Sequence, residues 1–241
     1  MTTERVTARP RPGRVDHART ERAAGVPARL VARLRHGRAL HPRGLMVAGT
    51  LEVTGGAALG VPVLDVPGEH EVVARLSKGG SLPGGLPDVL GLAVRLPGPL
   101  DVLLSTCGAV PWLLRPRTGF TAGPYSSLVP YDTGTGSVWI VAWPEGPATS
   151  ADPRLLPGVL GRGPLLFHLH AVRKDRAAVR VATLRVRTPR PELDVAFDPV
   201  LNSHPALRQP GWLRRLRRGA YLGSRQARAA EVDTGQVSSP G

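Results

Sequence analysis

Seven short runs of alternating apolar and polar residues, each bounded by turn-forming residues, constrain this chain more than any other feature. They cover 47–54, 71–77, 91–96, 100–105, 137–143, 165–172 and 179–187. A period of two sends successive side chains to opposite faces of an extended chain, so each run reads as a strand with one buried face. Pro-Gly and Gly-Gly pairs punctuate the runs, favouring antiparallel neighbours over βαβ units. The expected fold is therefore α+β: a closed antiparallel β-barrel with flanking helices.

At 241 residues, with 41% hydrophobic and 21% charged, the chain is long enough to bury one substantial core. We expect a single domain over 21–230, preceded by a basic, aperiodic and disordered tail, 1–20, and followed by a polar tail, 231–241. No apolar run approaches the roughly 20 residues of a membrane-spanning helix. The arginine-rich beginning lacks the apolar stretch of a secretory signal, and Cys107 is the only cysteine. An intramolecular disulfide is excluded, and a cytoplasmic location is expected.

The net charge of +14 comes almost wholly from arginine, since Lys78 and Lys174 are the only lysines. The basic residues are scattered over both termini and most strands instead of forming one tract, so no specific nucleic-acid partner is expected.

Around the strands, 21–36 carries Val26, Leu30, Val31 and Leu34 at helical spacing, with Gly37 as a stop. The segment 106–132 holds four aromatics among prolines and glycines and reads as an irregular excursion over one end of the barrel. Residues 198–201 read as a turn, and 211 to about 230 as a strongly basic helix.

Four constellations carry possible chemistry. Arg38 and His41 stand in a turn ahead of the first strand; they are either solvated loop residues or a carboxylate-binding guanidinium and a proton-shuttling imidazole. Arg75 and Ser77, two apart on a strand, face one side of the sheet and can serve one cavity. The run 87–96 reads as a turn feeding a core strand. Arg217, Tyr221, Arg225 and Arg228 lie along nearly one helix face, where positive charge can stabilise a phenolate. His168 and His170 share a strand face at a spacing that can bind zinc, but no further ligand stands near in sequence, and they read as barrel-face residues.

In order and local register these residues resemble haem-dependent catalases, most closely their short relatives, the catalase-related peroxidases. The resemblance runs from about residue 25 to 230 and is specific at Arg38, His41, Gly44, Gly49, Glu52, Val53, Thr54, Arg75, Ser77, Gly91, Arg217, Tyr221 and Arg228. It implies a b-type haem with Tyr221, on a helix near the C-terminus, as axial iron ligand and Arg217 against its oxygen. It further implies Arg38, Arg75 and Arg228 on the propionates, His41 as the distal base and Ser77 orienting its ring. The implied activity is a peroxidase-type oxidation using hydrogen peroxide or an organic peroxide and a small organic electron donor; homo-oligomerisation stays open.

The departures matter as much. Catalases carry an asparagine in a segment of the form Asp-Leu-x-Gly-Asn-Asn-Thr-Pro, whereas here Asp101 is followed by Val-Leu-Leu-Ser-Thr-Cys-Gly. Ser105 or Thr106 replaces the amide, and the phenylalanine pair that normally follows gives way to Val110-Pro111-Trp112. Weak or absent catalase activity is the expectation. Two alternatives remain at this level: a non-enzymatic haem carrier or sensor, and a degenerate catalase-like barrel without haem.

Overall fold

The computed structural model describes residues 43–80, 82–98 and 100–211. The expected tails, the helices at 21–36 and 211–230, and Arg38, His41, Arg217, Tyr221, Arg225 and Arg228 lie outside the described residues.

Among the described residues nine strands follow one another: β1 (Arg43–Val53), β2 (Gly68–Lys78), β3 (Leu90–Leu96), β4 (Leu100–Thr106), β5 (Tyr125–Ser126), β6 (Tyr131–Thr133), β7 (Gly136–Glu145), β8 (Leu165–Val172) and β9 (Val179–Pro189). Among the described residues two short α-helices, α1 (Pro62–Asp65) and α2 (Leu156–Leu160), sit in the connections, the second preceded by a 3-10 turn, Pro153–Leu155. All pairings are antiparallel, and the order β1-β2-β3-β4-β5-β7-β8-β9 closes because β9 returns to β1. The expected closed barrel is thus present with eight staves, and β6 forms a hairpin with β7 beside it. Six of the seven predicted runs lie within a strand, the run 47–54 passes the end of β1 by one residue, and 165–172 coincides with β8 from end to end.

Alternation sorts the side chains as the period of two requires. Leu45, Val47, Leu51, Ala74, Leu76, Leu92, Val94, Ile140, Phe167, Leu169 and Leu184 fill the interior. Tyr125 is fully buried among them, its ring edge-on to Phe167 at 5.8 Å and its hydroxyl donating to Phe120 O at 2.9 Å. At Gly49, where the β1–β9 register shifts, an added Cβ would stand 2.2 Å from Arg185 O. Only glycine permits so close a crossing.

The excursion expected over 106–132 needs correction. It contributes β5, a two-residue stave that joins β4 to β7, and its Tyr125 belongs to the core instead of an end cap. Two residues are too short to show a period, which is why the pattern missed them. One end of the barrel interior is plugged by Lys78, 1% exposed, whose Nζ donates to Gly84 O at 2.6 Å and Leu86 O at 3.0 Å.

After β9 the chain crosses the outer face of β3 and β4. Asp101, 1% exposed, accepts from Arg95 Nε at 2.8 Å and Nη2 at 2.7 Å, from Asp198 N at 2.6 Å and from Asn202 Nδ2 at 2.8 Å. The expected turn at 198–201 forms, with Asp198 Oδ1 accepting from Val200 N and Leu201 N. Removing one partner of such a buried pair leaves the others desolvated without a counter-charge. Asp101→Ala is expected to lower the unfolding free energy by about 3 kcal/mol, read by chemical denaturation. A change under about 0.5 kcal/mol would show that this carboxylate is not what ties 196–202 to the barrel.

Candidate functional site on the outer face of the barrel

Cross-strand partners in an antiparallel sheet share a face, so the register defines the outer surface row by row. One row reads Gly44, Ser77, Gly91, Ser105, Ser126, from β1 to β5. The next reads Met46, Arg75, Ala93, Leu103, and the one beyond ends in the Arg95–Asp101 pair. Read along the strands, these rows make a trough. Its floor is Gly91 and Ala93 of β3, its walls are Arg75 and Ser77 on one side and Leu103 and Ser105 on the other, and the covered salt bridge closes its far end.

The two described site residues, Arg75 and Ser77, therefore share one face as their spacing predicts. Ser77 is 5% exposed and Arg75 half-buried. The Arg75 side chain lies back along β1: a Cβ added to Gly44 would stand 3.0 Å from its Nε and Cζ and 2.9 Å from Leu76 O. Gly44 thus provides the space that the guanidinium occupies. Arg43 pairs with Lys78, so β1 begins at the Ser77 end of the trough, the end at which residue 42 joins it.

Alternation separates Ser105 from Thr106. Thr106 points inward, has no exposed surface, and its Oγ1 accepts from Leu90 N at 3.1 Å. Ser105 points outward, in the same row as Ser77. The only asparagine of the sequence, Asn202, is held by Asp101. Four residues of extended strand, about 13 Å, separate Asp101 from Ser105, so no side-chain amide of asparagine reaches the Ser105 end.

Asp88, in the run read as a turn before a core strand, has that role. Its carboxylate accepts from Gly80 N and Val89 N, and its backbone pairs with Arg117. His168 and His170 lie on the outer face of β8, as expected. His168 Nε2 stands 2.7 Å from Glu145 Oε2 and its Nδ1 3.2 Å from Thr183 Oγ1, while His170 Nδ1 is 2.9 Å from His168 O. Glu145 is 23 residues away in sequence, and only the β7–β8 register brings it there. Among the described residues no group of three or more metal-ligating side chains assembles.

A cleft of about 630 Å³ lies at the opposite end of the barrel, lined by Gly56, Leu59, Asp65, Thr135 and Ala206 among others. The Asp65 carboxylate is engaged by Leu59 N and Val61 N, and none of the trough residues lines the cleft. No helix among the described residues is long and apolar enough to cross a membrane.

Cys107 follows the trough wall directly. It is 2% exposed, and burial pushes its thiol up to about 11 despite the nearby Arg117 charge. At pH 8 the native thiol is expected to react with iodoacetamide about 100-fold more slowly than a free cysteine, whose pKa is about 8.5, and to label at the free rate once the chain is unfolded. Native labelling at the free rate would contradict the packing around β4.

No protein-family model matches the sequence, and no curated protein does so. Solved structures do match. A fungal catalase aligns with a TM-score of 0.53 at 12% identity over 77% of this chain and 57% of its own. Catalase A from Saccharomyces cerevisiae gives 0.59 at 11% over 78% and 60%, and a bacterial catalase 0.56 at 11% over 80% and 57%. The chain spans less than two thirds of the length of these catalases. At such identities the likeness is one of fold, and in fold this chain is a catalase-like barrel.

Proposed function

We propose that this chain is a haem-dependent peroxidase-type oxidoreductase. It would activate hydrogen peroxide or an organic peroxide at a tyrosinate-ligated ferric haem b, with a small organic molecule as electron donor and weak or no catalase activity. The observation that carries this reading is the row Gly44, Ser77, Gly91, Ser105 on the outside of a catalase-like barrel, with Arg75 at its edge.

The residues present fit such a group. A planar macrocycle needs a wall without protruding side chains, and this row offers two glycines and two serines. Its propionates need cations, and Arg75 supplies a fixed one that only a glycine at position 44 accommodates. Arg38 and Arg228 are the further propionate partners in this proposal. Tyr221 would hold the iron: its hydroxyl has a reference pKa of about 10, and Arg217, four residues before it in sequence, would favour the phenolate. Bound haem would supply an iron that accepts electrons from the donor and passes them to peroxide.

The protein's own part is proton handling and positioning. His41 takes the proton from one peroxide oxygen and returns it to the other, which lets water or an alcohol leave. The Ser77 hydroxyl holds the imidazole of His41 in place. In this reading Ser105 would take the part of the amide that assists a second peroxide, and a hydroxyl is shorter and presents a different donor geometry. Disproportionation needs two peroxides handled in turn, so this change supports oxidation of a separate donor.

Haemin titration followed at the Soret band tests the assignment. Tyr221→Phe is expected to weaken binding by about 100-fold or more and to remove the features of phenolate ligation. Gly44→Ala, which crowds both the Arg75 guanidinium and Leu76 O of the neighbouring strand, is expected to weaken it several-fold. Full ferric haem occupancy in Tyr221→Phe would overturn the ligand assignment.

A further inference from the structure

The cleft of about 630 Å³ at the end of the barrel away from Lys78 has no part in the chemistry assigned above. One wall is the loop after β1, which contributes Gly56, Ala58 and Gly60, and another is the β6–β7 turn with Thr135. Gly56, Ala58 and Gly60 all have left-handed backbones, at φ +94°, +50° and +74°. An alanine keeps that conformation only where its surroundings enforce it. Here the Asp65 carboxylate enforces it by accepting from Leu59 N at 2.8 Å and Val61 N at 2.9 Å. Both of its oxygens are thereby engaged. The backbone N–H groups of Gly56, Ala58 and Gly60 are left without an acceptor among the described residues. A concave loop of left-handed residues with free amides is the backbone arrangement that receives an anion.

Arg173, in the β8–β9 connection, ties the two walls together. Its Nη1 and Nη2 both donate to Ala57 O at 3.3 Å, and Nη2 donates also to Thr135 Oγ1 at 3.3 Å. Ala57 lies between two residues of the cleft wall, and Thr135 is itself in the wall. Both partners are neutral and distant, whereas a guanidinium meets a carboxylate at about 2.7–2.9 Å. Arg95 and Arg154 do so at 2.7 Å. No carboxylate among the described residues pairs with Arg173, and its Nε is buried without a partner. A half-buried cation is thus fixed beside the cleft with no counter-charge.

From the cleft, the free amides of its loop and the uncompensated guanidinium beside it, we infer that this end of the barrel binds small molecules bearing a carboxylate or phosphate group. Arg173 supplies the charge, and the Thr135 hydroxyl and the loop amides supply further donors. The Asp65 carboxylate, tied down by two amides, holds the loop open. Ala206, also in the wall, gives apolar contact to whatever the oxyanion carries. None of the trough residues lines this cleft, so the site stands apart from the proposed haem chemistry.

Isothermal titration calorimetry of the full chain with inorganic phosphate, and separately with butyrate, tests the site without haem. Saturable binding of at least one of the two ions is expected, and which one saturates assigns the site to phosphates or to carboxylates. Arg173→Gln is expected to raise the Kd about tenfold or more, as loss of a hydrogen bond from a charged group implies, and Thr135→Val to raise it a few-fold. Arg162→Gln, in the β7–β8 connection, should leave it unchanged. Since Arg173→Gln also loosens the loop, a second measurement uses the unaltered chain: the bound ion should slow phenylglyoxal modification of Arg173, mapped by mass spectrometry, and not that of Arg162. Absence of saturable binding by either ion, or equal modification of Arg173 with and without the ion, would overturn the inference. So would a Kd unchanged in Arg173→Gln, which would place the ions on the other arginines of this +14 chain.

Discussion

The whole outer surface depends on how the barrel closes. Two residues, Tyr125 and Ser126, join β4 to β7, with Tyr125 pointing inward against Phe167 and Ser126 outward beside Ser105. Closure leaves no free edge along which a stave can slip, and a slip of one residue would turn every side chain to the other face. Arg75 and Ser77 would then enter the apolar interior, and Leu76 would face out. The buried tyrosine ring, its hydroxyl satisfied by Phe120 O, therefore fixes which residues can meet a ligand as well as holding the core.

From that constraint follows a division of labour around the barrel. One end of the interior is plugged by Lys78 and its two carbonyl partners. On the outside, β1 to β4 offer a glycine and serine floor, and the Asp101 network fastens 196–202 across the end of it. That network gives the segment leading to residue 211 a fixed course on the barrel, ahead of the stretch that carries Tyr221. Leu207, 1% exposed, and the Asp132–Arg208 bridge add two further ties.

Most of this fold is legible in the sequence because the strands are long enough to show a period. Runs of six to nine residues with apolar–polar alternation predict β1, β2, β3, β4, β7, β8 and β9 and the sharing of one face by Arg75 and Ser77. The pieces that escaped are short or non-local. β5 has no period to detect, and Glu145 meets His168 only through the β7–β8 register. The trough is the same kind of object: Gly44, Ser77, Gly91 and Ser105 are unremarkable one by one and form a surface only once four strands are aligned. Similarly, which of Ser105 and Thr106 faces outward is a matter of register, which a closed sheet fixes.

The central claim, that this barrel carries a peroxide-reactive haem, is tested most directly by the visible spectrum of the protein produced with a haem precursor, recorded before and after hydrogen peroxide. A Soret band with high-spin ferric features that shifts when peroxide is added is the expected result. A protein with no Soret band, and with none appearing on addition of haemin, would contradict it and would leave the trough as the surface of a barrel that binds something else.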